Sequence, residues 1–181
     1  GASGDKNYFH WLFDILPKII ITQSSINLNK IDYFYMPELQ EFQRRTLSLL
    51  GIKNFKIINS KKIKHLKATK IIVPDHPWYY KGTIFKESNS IPGWIVKWLR
   101  KSFLKFKVKN TKSIKIFIDR SESEYSHCKL INNEEIKKAL SKKGFKILQT
   151  GKLDFLKQVE LFKNAKFVIG PHGAAFSNLV F

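Results

Sequence analysis

Three places in the chain combine residue types able to do chemistry at spacings that let them act together. His10 and Asp14 stand one helical turn apart, so an imidazole and a carboxylate share a face as a pair able to pass a proton. Arg120 and Ser121 follow the apolar run Ile114–Ile118 and so leave the carboxyl end of an expected strand. Lys166–Phe181, KFVIGPHGAAFSNLVF, reads as a short buried strand, a break at Gly170-Pro171-His172-Gly173, and the first turns of a helix. In an open α/β sheet such a turn lies at the carboxyl ends of the strands, where ligands bind. Unpaired N–H groups at the helix start would attract a phosphate or carboxylate, and the small residues Gly170, Gly173, Ala174 and Ala175 would let it approach. An ordinary Gly-Pro corner explains the shape equally well. His172 favours the functional reading, because packing alone does not call for an imidazole in so tight a turn.

These residues need elements to hold them. Over Asn7–Ser25, Phe9, Leu12, Phe13, Leu16, Ile19 and Ile20 share one arc at about 100° per residue. Asn7, His10, Asp14 and Lys18 share the opposite arc, and so does Trp11. The period predicts an amphipathic helix, kinked or restarted at Pro17, whose ring removes the bond to the Phe13 carbonyl. Trp11 between His10 and Asp14 suggests that this face looks into a cleft. The plainer alternative is a surface helix with an incidental His, its Asp14 neutralising Lys18.

Ile31–Tyr35 reads as a strand, Glu38–Leu50 as a helix closed by Gly51, and Lys56–Ile58 and Lys70–Val73 as short strands. Pro74-Asp75-His76-Pro77 stops the last of these. Its Asp and His suit a rigid loop packed with Trp78, Tyr79 and Tyr80 as well as they suit a function. Pro92–Phe106 predicts a helix, and the polar, basic stretch Lys105–Ser113 a linker. Beyond it come strand Ile114–Ile118, helix Asn133–Lys143 with an acidic first turn and Gly144 after it, strand Lys146–Gln149 and helix Phe155–Asn164. Regular βαβα alternation predicts a parallel, doubly wound sheet. Phe167-Val168-Ile169, apolar without a break, predicts that the final strand lies in its middle, covered on both faces. The fold class is α/β with two Rossmann-like domains, residues 1–108 and 109–181, the second stopping inside its last helix and therefore expected to be incomplete.

A hydrophobic content of 43% over 181 residues is enough for a packed core and argues against disorder. The single cysteine, Cys128, excludes a disulfide framework and a multi-cysteine metal site. No apolar run approaches the ~18 residues of a membrane-spanning helix. The start, GASGDKNYFHW, does not resemble a signal peptide, so a reducing, cytoplasmic compartment is expected. The net charge of +19 raises nucleic acid as a partner. Against it, the cations are almost all Lys, with Arg only at 44, 45, 100 and 120, and abundant Lys, Ile, Asn and Phe point instead to an AT-rich genome. Bidentate grip on phosphates and bases favours Arg. Weak attraction to an anionic membrane surface, peripheral to the inner membrane, or to a phosphorylated substrate fits better.

Taken in order, NYFHWLFDILPKI, a strand ending in DRS, NNEEI, and FLKQVELFKNAKFVIGPHGAAFSNLVF resemble glycosyltransferase family 61, whose bacterial members include capsular polysaccharide biosynthesis proteins. The resemblance runs from about Asn7 to Phe181. It implies a GT-B-like fold and inverting transfer from a nucleotide sugar to a glycan or lipid-linked glycan acceptor. It places the family's first-motif His and Asp on His10 and Asp14, with Asn7 and Trp11 beside them on the acceptor side. Donor-binding positions fall on Arg120 with Ser121, on Asn133 and Glu134, on Gln158, and on Gly170, His172, Gly173, Ala174 and Asn178. Lys129 stands where the family usually has a second Arg, after a longer loop containing Cys128, which weakens a bidentate phosphate contact there. The family normally continues beyond the last Phe.

Inverting transfer needs a base for the acceptor hydroxyl and a counter-charge for the leaving diphosphate. Asp14, or His10 acting with it, suits the first role. Arg120, the helix start after Gly173 and His172 suit the second. The chain has no Asp-x-Asp, so neither a carboxylate-held metal nor another cofactor is expected beside the nucleotide sugar. The competing reading is a non-catalytic nucleotide- or polyanion-binding module, a degenerate homologue. Such a module has no need of the His10–Asp14 pair.

Overall fold

Pro17 shapes the first element of the protein. It has no N–H to give the Phe13 carbonyl, and its ring crowds the preceding turn. The chain answers by widening: a short α-helical turn, α1 (Tyr8–His10), opens into a π-helical turn over Trp11–Ile15 before α2 (Pro17–Ser25) resumes. The Leu16 N–H reaches back five residues to the Trp11 carbonyl at 2.9 Å. One extra residue in a turn rotates the wheel, so the arcs expected of a uniform helix are rephased. Leu12, Phe13, Leu16 and Ile19 are buried as expected, but Trp11 is buried with them.

The computed structural model of the chain describes residues 6–53, 56–77, 91–106, 113–121 and 128–181. Most of the expected linker and the aromatic loop Trp78-Tyr79-Tyr80 lie outside them. The chain divides into two compact units, Gly1–Leu99 and Arg100–Phe181.

In the first unit, β1 (Phe34–Met36) pairs in parallel with β2 (Ile57–Asn59), with Tyr35 opposite Ile58. Between them runs α3 (Glu41–Leu49). A capping box starts α3, the Gln43 side chain accepting from the Gln40 N–H at 2.7 Å, and Gly51 in the left-handed region (φ 84°) ends it. Lys70–Val73 is not a strand: Ile71 and Val73 are 73% and 82% exposed. The β-branched run has the propensity, but propensity without a neighbouring strand makes no sheet.

α4 (Gly93–Phe103) spans the division between the units. The second unit holds a parallel sheet of β3 (Ile114–Ile118), β4 (Phe145–Leu148) and β5 (Ala165–Ile169), with α5 (Asn133–Lys142) and α6 (Phe155–Lys163) as the crossovers. The strand order is β4-β3-β5. The central strand is therefore β3, whose Ile116, Phe117 and Ile118 are fully buried. The expectation that the final strand sits in the middle is corrected. β5 is an edge of the described sheet, with Phe167 51% and Ile169 45% exposed.

Phe103, Phe155 and Phe181 pack edge to face at 4.8–6.2 Å between ring centres and fill the core of this unit. The last segment, Ala174–Val180, is a 3-10 helix and not the α-helix expected. Side chains hold it in place of an α-helical ladder: Arg100 donates to the Val180 and Phe181 carbonyls at 2.8 and 2.9 Å, and Asn178 donates to the Ala175 carbonyl at 3.1 Å. So short a 3-10 segment lacks the aligned dipole of an α-helix, and the anion site expected at its start loses that support.

Candidate functional site

The first group lies in the N-terminal unit. Asn7 caps α1, its side-chain oxygen accepting from the Phe9 and His10 N–H groups at 2.9 and 3.4 Å. It thus fixes where His10 starts. The His10 Nδ1 lies 2.6 Å from Asp14 Oδ2. A carboxylate can only accept, so with Asp14 ionised the Nδ1–H is the donor of this bond. Exposure separates the two side chains further: 34% of the His10 side chain is accessible against 13% of Asp14.

Trp11 does not face a cleft. It is 2% exposed, and its indole N–H donates to Thr46 Oγ1 at 2.9 Å, while that hydroxyl donates to the Gln43 carbonyl at 2.9 Å. The π turn after His10 is the reason, since it carries the indole from the expected polar arc into the core. His76, which the sequence left undecided, stands with Nε2 4.0 Å from the other oxygen of Asp14.

The second group lies at the carboxyl edge of the β4-β3-β5 sheet. The chain passes from β3 to β4 on one side and later returns to β5 on the other, so the strand order reverses between β3 and β5. Ligands of open α/β sheets bind outside such a reversal. Arg120 leaves β3 there, and Gly170–Gly173 leaves β5. The Arg120 guanidinium donates through an Nη to the His172 carbonyl. A Cβ on Gly173 would meet that guanidinium at 2.7–3.0 Å, and one on Gly170 would meet Ile118 Cβ and carbonyl oxygen at 2.8 and 3.0 Å. Gly170 is therefore required by its close approach to the β3 backbone, whereas at Gly173 a Cβ would displace the end of the Arg120 side chain.

Asp119 organises the remainder, and the sequence reading did not single it out. It accepts from the Ser121 N–H and hydroxyl at 2.9 Å each, from Asn133 at 3.1 Å and from Gln149 at 3.2 Å, with the Lys137 ammonium at 3.5 Å. Burial alone would push its carboxyl up. The bonds from Ser121, Asn133 and Gln149 outweigh that and hold it down at about 2. Ser121 and Asn133 are thereby fixed beside Arg120. Glu134 points outward, 82% exposed, on Lys137 at 2.5 Å, and this bond keeps the Lys137 pKa raised.

Two of the expected donor-binding residues lie in the interior. Gln158 and Asn178 are buried and spent on each other: Asn178 donates to Gln158 Oε1 at 2.9 Å, and Gln158 donates to the Leu153 carbonyl at 3.0 Å. Their bond ties the final segment to α6. Lys129 and His172 are exposed, and Ala174 is half-buried. Separately, a pocket of about 700 Å³ in the first unit is lined by Gln23, Asn27, Lys53 and Lys56 among others, and by none of the residues above.

Among the described residues, no helix is long and apolar enough to cross a membrane. No curated protein and no solved structure matches the chain. The family model described as Glycosyltransferase 61 matches residues 8–181, which takes in both groups of site residues apart from Asn7. The chain belongs to glycosyltransferase family 61.

Proposed function

We propose that the protein transfers a sugar, with inversion, from a nucleotide sugar to a glycan or lipid-linked glycan acceptor in the synthesis of a surface polysaccharide. Arg120 laid across the Gly170–Gly173 turn at the strand-order reversal carries this reading. An Arg anchored at one Nη is a positive charge fixed before the reaction begins, and fixed charge is what a leaving diphosphate needs. Ser121 and Asn133, pinned by Asp119, offer polar groups beside it.

In the transfer step His10 Nε2 takes the proton of the acceptor hydroxyl. The freed oxygen attacks the anomeric carbon, and the bond from that carbon to the diphosphate oxygen breaks, its electron pair leaving with the nucleoside diphosphate. Asp14 holds the ring and balances the imidazolium that forms. The sequence has no Asp-x-Asp to bring a divalent cation to the donor, so the reaction is assigned to protein charge alone. A cytoplasmic enzyme attracted to an anionic membrane by its +19 charge would meet a lipid-linked acceptor at that surface.

A thermal-shift panel of UDP-, GDP-, ADP-, dTDP- and CMP-sugars with the matching free nucleotides tests the donor site. A ligand at 100 times its Kd adds about 2.7 kcal/mol. Arg120→Ala should weaken nucleoside diphosphate binding by about 1.5–3 kcal/mol, the range for a hydrogen bond to a charged group. Unchanged binding in a folded variant would make Arg120 a brace for the turn and nothing more.

A further inference from the structure

We propose that Gln149 joins Asn133 in an acceptor-lined part of the donor site, where their side-chain oxygens take hydrogen bonds from hydroxyl groups of the nucleotide sugar. The inference deepens the transferase reading and rests on it for the identity of the ligand. Asp119 follows β3, Gln149 follows β4 and Asn133 opens α5, so three elements bring these side chains together where Arg120 leaves the sheet. Asp119 Oδ1 accepts from the Ser121 N–H at 2.9 Å and from Asn133 Nδ2 at 3.1 Å. Its Oδ2 accepts from the Ser121 hydroxyl at 2.9 Å and from Gln149 Nε2 at 3.2 Å. A carboxylate has about four lone-pair positions, and these bonds fill them. Asp119 itself is 5% exposed, so a ligand meets the side chains it holds and not the carboxylate.

The hub also sets which end of each amide faces outward. An ionised carboxylate only accepts, so both amides turn their NH₂ groups toward Asp119. Gln149 is fixed twice over, since Nε2 also lies 3.4 Å from Ser121 Oγ, whose own hydrogen goes to Asp119. The amide oxygens are thereby directed away from the hub. No donor among the described residues bonds Gln149 Oε1 or Asn133 Oδ1. Neither is sealed in the interior, because Ser177 Oγ alone among the described residues is a buried side-chain polar atom without a partner. Two acceptors of settled direction suit hydrogen donors and are unfavourable to phosphate oxygens, which leaves the diphosphate to Arg120. Tethered to one carboxylate, they suit the adjacent hydroxyls of a diol. A nucleotide sugar carries such a pair on its ribose and on the sugar it transfers.

The test measures Kd by calorimetry for UDP, GDP and ADP, for their 2′-deoxy and 3′-deoxy counterparts, and for UDP-, GDP- and ADP-sugars. It compares the wild-type full chain with Gln149→Lys and Gln149→Leu, each checked for folding by far-UV circular dichroism. Lysine keeps a donor for Asp119 but has no acceptor, so Gln149→Lys removes the outward oxygen and leaves the hub tethered. The quantity read is the ratio of deoxy to ribo Kd, in which any general effect of the added charge on the diphosphate cancels. Loss of a contacted hydroxyl should weaken wild-type binding about 3- to 10-fold, the range for one neutral hydrogen bond, and the penalty should disappear in Gln149→Lys. A loss in the variants confined to the nucleotide sugars, with the free nucleotides unaffected, places the hydroxyls on the transferred sugar and upholds the inference. A wild type with no deoxy penalty and no gain from the sugar overturns it, as does a folded Gln149→Lys in which both are unchanged. In either case nucleotide binding itself leaves the transferase reading standing. If none of the nucleotides or nucleotide sugars binds the wild-type chain, the transferase reading falls and this inference falls with it.

Discussion

Replacing Asp119 by Asn isolates one charge in an otherwise unchanged shape. The carboxylate gathers the Ser121 N–H and hydroxyl, Asn133 and Gln149, and these bonds take its pKa from 3.8 to about 2 despite burial. A fall of that size corresponds to on the order of 2 kcal/mol of folding stability. Its sign follows from proton counting. The unfolded chain binds a proton here at a higher pH than the folded chain does, so the contribution is complete above about pH 4. It is lost as pH falls toward the folded value of about 2. Asn at 119 also turns an amide N–H₂ toward donors that the carboxylate had accepted from. The expected result is a variant on the order of 2 kcal/mol less stable at pH 7, with the difference closing as both proteins are taken to pH 2–3. Trp fluorescence is the wrong probe, since Trp11, Trp78, Trp94 and Trp98 all fall in the first unit. Hydrogen exchange at the Ile116–Ile118 amides reports the unit that matters. A stability difference that stays constant from pH 7 to pH 2, or no difference at pH 7, would refute the account of Asp119 as an ionised hub.

The glycines of the turn should separate by what their Cβ atoms meet. Gly170→Ala runs into Ile118 Cβ and carbonyl and should lower stability by about 1–3 kcal/mol in urea unfolding followed by far-UV circular dichroism. Gly173→Ala meets the movable end of Arg120, so it should leave stability nearly unchanged while reducing nucleoside diphosphate affinity in the thermal-shift panel. Trp11→Phe keeps an aromatic ring but removes the N–H that donates to the Thr46 hydroxyl oxygen, and should cost about 1 kcal/mol of stability with transfer unchanged. A loss of transfer without loss of stability would return Trp11 to the acceptor side.

What the sequence could and could not say divides along the range of the interactions involved. Ile114–Ile118 and Asn133–Lys143 were legible because their signals are local: an apolar run with a polar stop, and an acidic start with a Gly after the basic end. The pairing of His10 with Asp14 was legible for the same reason, being one turn of a helix. Trp11 was misread because the wheel assumes a constant pitch, and Pro17 already marked the place where pitch would change. The place of β5 was misread because an apolar triplet has the same composition in the centre of a sheet as at its edge. Which neighbours it finds is settled by crossovers far along the chain. That error bears on function. With β5 beside β3 and β4 on the other side, the strand order reverses where Arg120 meets the Gly170–Gly173 turn. A final strand placed in the middle of the sheet did not foresee that reversal. Asp119 belongs with β5 in this respect: its set of bonds is completed only when a distant element arrives, Gln149 at the end of β4. A sequence names the groups that can do chemistry. Which of them act, and which hold those that act, is decided by contacts that no local pattern encodes.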